Sequence, residues 1–192
     1  MMPIAENSFA VHPEWLVTMV PGITDKRLRS EIFEDEAFFK RLLSEQHPLL
    51  AFPDLQTEEK VKQITDVVSS AITEKNLRRI GLSWLAPRLI LCLFTRETRT
   101  ICGNLSVQDL DLVRKFHDHV DPSVIPTIPD VQSIEREGVH CFLAWAKGFP
   151  APVAEHLKLL VSPISPQFSS NIEKRKMLFE RFLRAVPEDD LS

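Results

Sequence analysis

Apolar residues recur every three or four positions through most of the chain, a spacing that predicts amphipathic helices. The most hydrophobic stretch begins at Ile80, and a basic turn and a second helical pattern follow it as far as Val120. We expect the segment from Ile80 to Val120 to form the centre of the hydrophobic core. Pro87 lies inside it, and because proline breaks or kinks a helix beyond its first turn, a new helix is predicted near Leu85 or Ala86.

Residues that stabilise helix ends mark the predicted boundaries. Ser30 is predicted to cap a helix whose first turn carries several carboxylates, which suit the positive end of the helix dipole. Ser106 with Asp109 three residues later resembles a capping box, and so does Ser170 with Glu173. Two further helix starts are therefore predicted at these serines.

The fold class follows from this pattern. No sustained alternation of apolar and polar residues and no short hairpin turn is present, so no strand is predicted. We therefore predict an all-α fold, a single compact multi-helix domain with proline-rich connections. Residues 1–28 are expected to be irregular, residues 29–166 to form the helical core domain, and residues 167–192 to form a C-terminal amphipathic helix packed on or beside that core.

Composition narrows the class of protein. Hydrophobic residues make up 44% of the 192 residues, which is enough for a core. The net charge of −4 argues against nucleic-acid binding, which needs a basic footprint. The three cysteines have no metal-ligand spacing and fit a reducing compartment. No apolar run approaches the roughly 20 residues of a membrane-spanning helix, and no secretory signal is recognisable. We expect a cytoplasmic protein without direct membrane insertion.

Residues capable of catalysis or metal binding do not form recognisable sets. His117 and His119 point to different sides of a helix, so they cannot easily share one metal ion. His140 and Cys141 diverge as neighbours on a helix, and Cys141 is expected to pack as a small hydrophobe. A hydrolase or transferase that uses either residue stays an alternative. The chain has 5 glycines and no phosphate-binding glycine loop. No enzymatic activity, cofactor or metal is predicted.

Basic residues concentrate in and around the central apolar stretch, with few acids nearby. They form either a solvated face or a docking surface for an acidic protein. The group consists of Lys75, Arg78, Arg79, Arg88, Arg96 and Arg99.

The C-terminal helix carries a second basic group. Phe179 and Phe182 are expected to pack inward and leave a wet basic face outside. That face is predicted to hold Lys174, Arg175, Arg181 and Arg184. The alternative is a detachable helix that binds a groove of a partner.

Three stretches of the chain together suggest a family. The first stretch is the segment His12-Pro-Glu-Trp-Leu16. The second is the segment from Leu89 to Phe94 together with the basic turn Arg96–Arg99 and the helix Leu105–Phe116. The third is the glycine-led helix from Gly138 together with the segment Pro150–Leu160, which precedes Pro163. The first stretch, His12 to Leu16, is similar to the N-terminal histidine–proline segment of a known family. In these features the chain resembles the K subunit of the bacterial type III secretion sorting platform, the YscK/PscK/OrgA/MxiK family.

The resemblance implies a helical, non-enzymatic adaptor at the cytoplasmic face of the inner membrane, held there through its partners. Such subunits link the inner-membrane ring subunit, the D protein, to pods built by the Q subunit, and so to the L subunit and the ATPase. Candidate partner-binding residues are Arg78, Arg79, Arg88, Arg96, Arg99, His12 and Trp15. The alternative function is a type III secretion chaperone or regulatory binding protein.

Overall fold

The computed structural model of the protein describes residues 11–50, 55–92, 106–116, 131–164 and 171–185. These residues form helices and turns without a strand, so the all-α prediction is confirmed. The helices are α1 (Pro13–Met19), α2 (Lys26–Glu34), α3 (Glu36–Gln46), α4 (Leu55–Val68), α5 (Glu74–Cys92), α6 (Val107–Phe116), α7 (Val131–Ala146), α8 (Ala151–Leu159) and α9 (Ile172–Ala185), with a 3₁₀ turn at Pro48–Leu50.

The chain divides into two compact units, each assembled from distant parts of the sequence. The first consists of Met1–Val67 and Ala146–Ser165, and the second of Val68–Trp145 and Pro166–Ser192. The N-terminal helices therefore group with α8, whereas α9 groups with α5 and α6. These units differ from the division at residues 28 and 166 expected from the sequence, because proline positions show where helices end but not which helices pack together.

The first unit has a core shared by α1, α3 and α8. Met19, Phe39, Leu43 and Leu159 are buried there. Partly buried apolar side chains surround them, namely Val11, Trp15, Leu16, Val20, Leu42 and Leu50. The N-terminal segment thus belongs to this core.

The N-terminal part is more regular than predicted. Residues 13–19 form α1 and α2 begins at Lys26, so the interpretation of residues 1–28 as irregular is wrong for these stretches. Nδ1 of His12 accepts a hydrogen bond from the amide of Glu14 at 3.3 Å and caps α1. Pro13 occupies the first turn, where its missing N–H is no loss. A helix of this length is too short for its apolar periodicity to show in the sequence.

Aspartates, rather than Ser30, begin the next two helices. The Asp25 carboxylate accepts hydrogen bonds from the amides two and three residues ahead, at 2.8 and 3.3 Å. Asp35 has an extended backbone, ends α2 and caps α3 through two such bonds of 3.1 Å. The predicted cap at Ser30 is therefore wrong. An aspartate can lie in the first turn of a helix or cap it, and the backbone conformation decides which of these roles it takes.

Helix α5 has a fully buried middle section in the second unit, which confirms the core position predicted for this part of the chain. Ile80, Leu82 and Trp84 have almost no exposed surface. The helix continues through Pro87, so the predicted helix start just before this residue is wrong. A proline inside a helix costs about 3 kcal/mol or more. Here residues 80–87 are all buried, and their packing offsets that cost.

Helices α6, α7 and α9 pack against α5 in the second unit. Helix α7 begins at Val131, so Gly138 lies in its middle and does not begin it. Phe179 of α9 packs on α7, with ring centroids 5.4 Å from Phe142 and 5.2 Å from Trp145. The inward position predicted for Phe179 is confirmed.

The capping box predicted at the start of α6 is confirmed. The Ser106 amide donates to the Asp109 carboxylate at 3.0 Å, and the Asp109 amide donates to the Ser106 hydroxyl at 3.1 Å. Ser170, the first residue of the similar pair predicted at the start of α9, lies outside the described residues.

Candidate functional site

His12 and Trp15 hold the N-terminal segment against the end of α8. The His12 amide donates to the carbonyl of Leu159 at 2.7 Å, and Nε1 of the Trp15 indole donates to the carbonyl of Val161, also at 2.7 Å. These carbonyls lie at and just beyond the C-terminal end of the helix, where carbonyl groups have no partner within it. The segment from His12 to Leu16 therefore completes the hydrogen bonding of a helix that is distant in the sequence.

The Trp15 ring lies among charged and aromatic side chains of the first unit. It makes an edge contact with His47, with centroids 5.6 Å apart, and Nζ of Lys158 lies 5.7 Å from the ring centroid. Glu155 joins the two partners, because its carboxylate is 3.5 Å from His47 and 3.4 Å from Lys158. Trp15 thus acts as an internal anchor, and its predicted role toward a partner stays a prediction.

Two histidines of the first unit have a lowered pKa. Burial lowers the pKa of His156 to about 4, because the charged imidazolium loses its hydration inside the protein. Burial also lowers the pKa of His12, although the nearby Glu14 carboxylate acts in the opposite direction. Both imidazoles are therefore neutral at pH 7.

The arginines predicted as one docking surface lie on different sides of α5. Arg78, Arg79 and Arg88 are all partly buried. Because a helix turns by about 100° per residue, Arg79 and Arg88 lie about 180° apart around α5. The Arg79 guanidinium lies 6.0 Å from the centroid of the Phe182 ring of α9. Arg96 and Arg99 lie outside the described residues. Arg79 and Arg88 therefore do not share one face of α5.

A buried charge cluster, formed by Trp84, Glu137, His140 and Arg175, was not predicted; its least buried member is Glu137, whose side chain is 20% exposed. The Arg175 guanidinium donates to the Glu137 carboxylate at 2.5 Å, and it stacks on Trp84 at 4.2 Å from the ring centroid. The other oxygen of Glu137 lies 3.3 Å from Nδ1 of His140. The cluster thereby links α7 and α9 of the second unit through an ion pair, and α5 through the stacking of Arg175 on Trp84.

Arg175 corrects the predicted basic face of the C-terminal helix. Arg175 is only 9% exposed. The sequence pattern had predicted a position on the solvated face of the helix. Arg175, Phe179 and Phe182 are spaced by four and three residues, which puts the arginine on the buried face. That spacing is the signal in the sequence that could have located it. Its partner Glu137 could not be found in this way, because the two residues are 38 positions apart.

The electrostatics of the cluster favour ionised Glu137. Burial raises the pKa of Glu137, but the hydrogen bond to His140 and the charge of Arg175 outweigh burial, so that its pKa lies below the ordinary value. An arginine remains charged at any ordinary pH. The pair is therefore ionic inside the protein, where each partner is needed to neutralise the other.

Cys141 adjoins this cluster but is not poised as a nucleophile. The residue has no exposed surface, and burial raises the pKa of its thiol to about 12, with Arg175 acting weakly in the opposite direction. Because the thiolate is the reactive form of cysteine, the thiol is inert at neutral pH. Cys141 packs as a small hydrophobe, as expected, and the hydrolase or transferase alternative based on it has no geometric support.

The described residues contain neither a metal-binding group nor a membrane-spanning helix. Within residues 11–50, 55–92, 106–116, 131–164 and 171–185, no group of three or more histidines, cysteines, aspartates or glutamates could hold a metal ion. The pair His117 and His119 lies outside these ranges. Among the helices described, none combines the length and the apolar character that are needed to cross a membrane.

Comparison with known proteins supplies no family for the chain. No family model matches it, and neither a curated protein nor a solved structure shows significant similarity to it.

Proposed function

We propose that this chain is a non-enzymatic adaptor of a type III secretion sorting platform. It would act at the cytoplasmic face of the inner membrane and link the D ring subunit to the Q pods, and through them to the L subunit and the ATPase. The proposal rests on the resemblance of three stretches of the sequence to the K subunit. It assigns the protein no cofactor and no catalytic residue.

One observation carries the proposal beyond the resemblance itself. The first stretch, His12–Leu16, is bonded to the end of the third stretch through the amide of His12, and to Val161 just beyond it through the indole of Trp15. Segments that a family retains for one structural purpose are expected to meet in the fold. The contact between these two stretches agrees with that expectation and supports the proposal.

The internal chemistry is in keeping with an adaptor. The polar residues that lie close together inside the second unit are bonded to one another: Glu137 pairs with Arg175 and contacts His140, and Arg175 stacks on Trp84. They connect helices, and the neighbouring thiol of Cys141 is unreactive.

The direct test is reconstitution with the two proposed neighbours. The full chain is co-expressed with the cytoplasmic domain of the D subunit and with the Q subunit from the same bacterium, and complexes are separated by size-exclusion chromatography with light scattering. We expect a complex that contains all three proteins. Binding to neither neighbour would overturn the proposal. A stable homodimer that holds a single secreted client would instead assign the chain to the chaperones.

The docking residues are tested in the same assay. Arg96→Glu with Arg99→Glu is expected to release one of the two neighbours. The matched control is Lys60→Glu with Lys62→Glu, which makes the same change of charge at exposed positions of α4. If the folded arginine variant keeps both neighbours, the arginines are not the docking surface, although the adaptor role stands. If the control loses binding equally, the effect comes from net charge alone.

A further inference from the structure

Helix α9 uses one face for the second unit and presents the opposite face to solvent. Leu178, Phe179 and Phe182 are buried. The exposed residues Lys174, Met177, Arg181 and Arg184 form a stripe, here named the α9 stripe, with spacings of three, four and three residues. These spacings place the four side chains on one side of a helix over about 15 Å.

The cations of the α9 stripe have no ion-pair partner in the part of the chain that the structure describes. Within the described residues, none of Lys174, Arg181 and Arg184 forms an ion pair, although Glu173 and Glu180 lie on the same helix. Other exposed arginines of the chain do pair along their helices: Arg27 with Glu31 at 3.0 Å, Arg41 with Glu45 at 3.1 Å and Arg114 with Asp111 at 3.5 Å. The α9 stripe therefore presents cations that are not held in ion pairs along the helix, although Glu173 and Glu180 lie beside them.

Met177 adds an apolar contact between these charges. It is 53% exposed and lies between Lys174 and Arg181 on the stripe. A methionine side chain is flexible and polarisable and adapts to different apolar partners. A surface that combines a central apolar residue with flanking unpaired cations matches an amphipathic helix whose apolar residue is flanked by acids.

We propose that the α9 stripe is a docking surface for an acidic amphipathic helix of a partner protein. The spacing of the stripe is that of a helix–helix seam, in which residues three and four positions apart contact the facing helix. Each cation would face a glutamate or aspartate, and a leucine-like side chain would cover Met177. Complementary charge would set both the orientation and the rate of association.

Other ligands fit the α9 stripe less well. An interfacial membrane helix must insert a broad apolar face into the lipid. The broad apolar face of α9 is already buried through Leu178, Phe179 and Phe182, and the stripe offers Met177 alone. A nucleic acid requires an extended basic footprint, whereas the chain has a net charge of −4. An acidic protein segment is the ligand class that remains.

The test uses a defined peptide and the full chain. The probe is a fluorescent, end-blocked peptide of about 18 residues, long enough to populate a helix, with glutamate, leucine, glutamate and glutamate spaced by three, four and three residues. A scrambled peptide of equal composition is the control. Binding is measured by fluorescence anisotropy at low and high salt. We expect saturable binding of the patterned peptide, and weaker binding at high salt.

Variants connect this binding to the stripe. Arg181→Glu with Arg184→Glu should weaken binding at least about tenfold, and Met177→Ser about threefold. Lys60→Glu with Lys62→Glu, at exposed positions of α4, should leave it unchanged. Circular dichroism and the melting temperature verify that each variant is folded.

Several outcomes would overturn the docking surface. They are no binding of the patterned peptide, equal binding of the scrambled peptide, no effect of the two arginine substitutions, or tighter binding to anionic phospholipid vesicles than to the peptide. The inference does not depend on the sorting platform, because the peptide assay contains no secretion protein. Its failure would leave the proposed adaptor role standing, and failure of the reconstitution would leave the α9 stripe standing.

Discussion

Gly81 and Gly138 face each other where α5 and α7 cross. A Cβ atom added to Gly81 would lie 2.8 Å from the carbonyl carbon of Ile134 and 3.1 Å from the amide nitrogen of Gly138. A Cβ atom added to Gly138 would lie 2.6 Å from the carbonyl carbon of Leu77. Each glycine is thus in contact with the backbone of the opposite helix, and neither helix can move away without losing its packing.

Alanine at either glycine is expected to destabilise the second unit. The added methyl group meets backbone atoms, which cannot rotate away as a flexible side chain would. We expect Gly81→Ala or Gly138→Ala to lower the free energy of unfolding by about 2–3 kcal/mol, the cost of an overpacked core. Gly22→Ala is the matched control, because its Cβ would have no neighbour within 4 Å, and it should change stability by less than about 0.5 kcal/mol. Urea denaturation of the three variants measures this difference. Equal stabilities would contradict the close crossing.

The sequence was a good guide wherever a local pattern decided the structure. The apolar residues between Ile80 and Leu89 are buried, and the Ser106–Asp109 capping box forms as its spacing indicates. The errors arose where contacts between distant residues decided. Pro87 remains inside α5 because surrounding side chains stabilise that helix, and Arg175 is buried because Glu137 and Trp84 neutralise and cover it. A single sequence contains the spacing of a helix face but not the partner that will meet it.

The buried charge cluster predicts a strong asymmetry between single and double substitutions. Arg175→Met leaves the Glu137 carboxylate, whose side chain is only 20% exposed, without its counter-ion and should lower the free energy of unfolding by about 2–3 kcal/mol. Adding Glu137→Leu removes the unpaired charge, so the double variant should be more stable than Arg175→Met alone. Arg184→Met, at an exposed position of the same helix, is the control and should have an effect below about 0.5 kcal/mol. A double-mutant cycle by chemical denaturation gives the coupling energy, and additive effects of the two substitutions would exclude a buried ion pair.

The lowered pKa of His156 predicts a loss of stability in mild acid. The unfolded chain binds a proton at His156 below the ordinary pKa of 6.5, whereas the folded protein does so only below about 4. Protonation therefore favours unfolding throughout this window, and the free energy of unfolding should fall by about 3 kcal/mol from pH 6.5 to pH 4. His12, whose pKa is also lowered, acts in the same direction.

A neutral substitution isolates the contribution of His156. The variant His156→Gln should show a flatter dependence of unfolding free energy on pH between 6.5 and 4 than the natural protein, whatever its stability at neutral pH. The contribution of Glu137 to the pH dependence of stability lies at lower pH. Because its folded pKa is depressed, its stabilisation is complete above its ordinary pKa of 4.5 and is lost as the pH falls through the lower folded value. A histidine variant whose pH dependence between 6.5 and 4 matches that of the natural protein would show that His156 is accessible to water.

Trp15 allows the packing role to be separated from the predicted role toward a partner. Trp15→Phe keeps an aromatic ring beside His47 but removes the indole N–H that donates to the Val161 carbonyl at 2.7 Å. We expect a loss of about 1 kcal/mol in the free energy of unfolding. Trp15→Ala also removes the ring and should cost about 3 kcal/mol. If the residue serves packing alone, binding of the D and Q subunits by the folded Phe variant should equal that of the natural protein. If the folded Phe variant loses a partner while its measured stability falls only by the expected amount, Trp15 also contacts that partner.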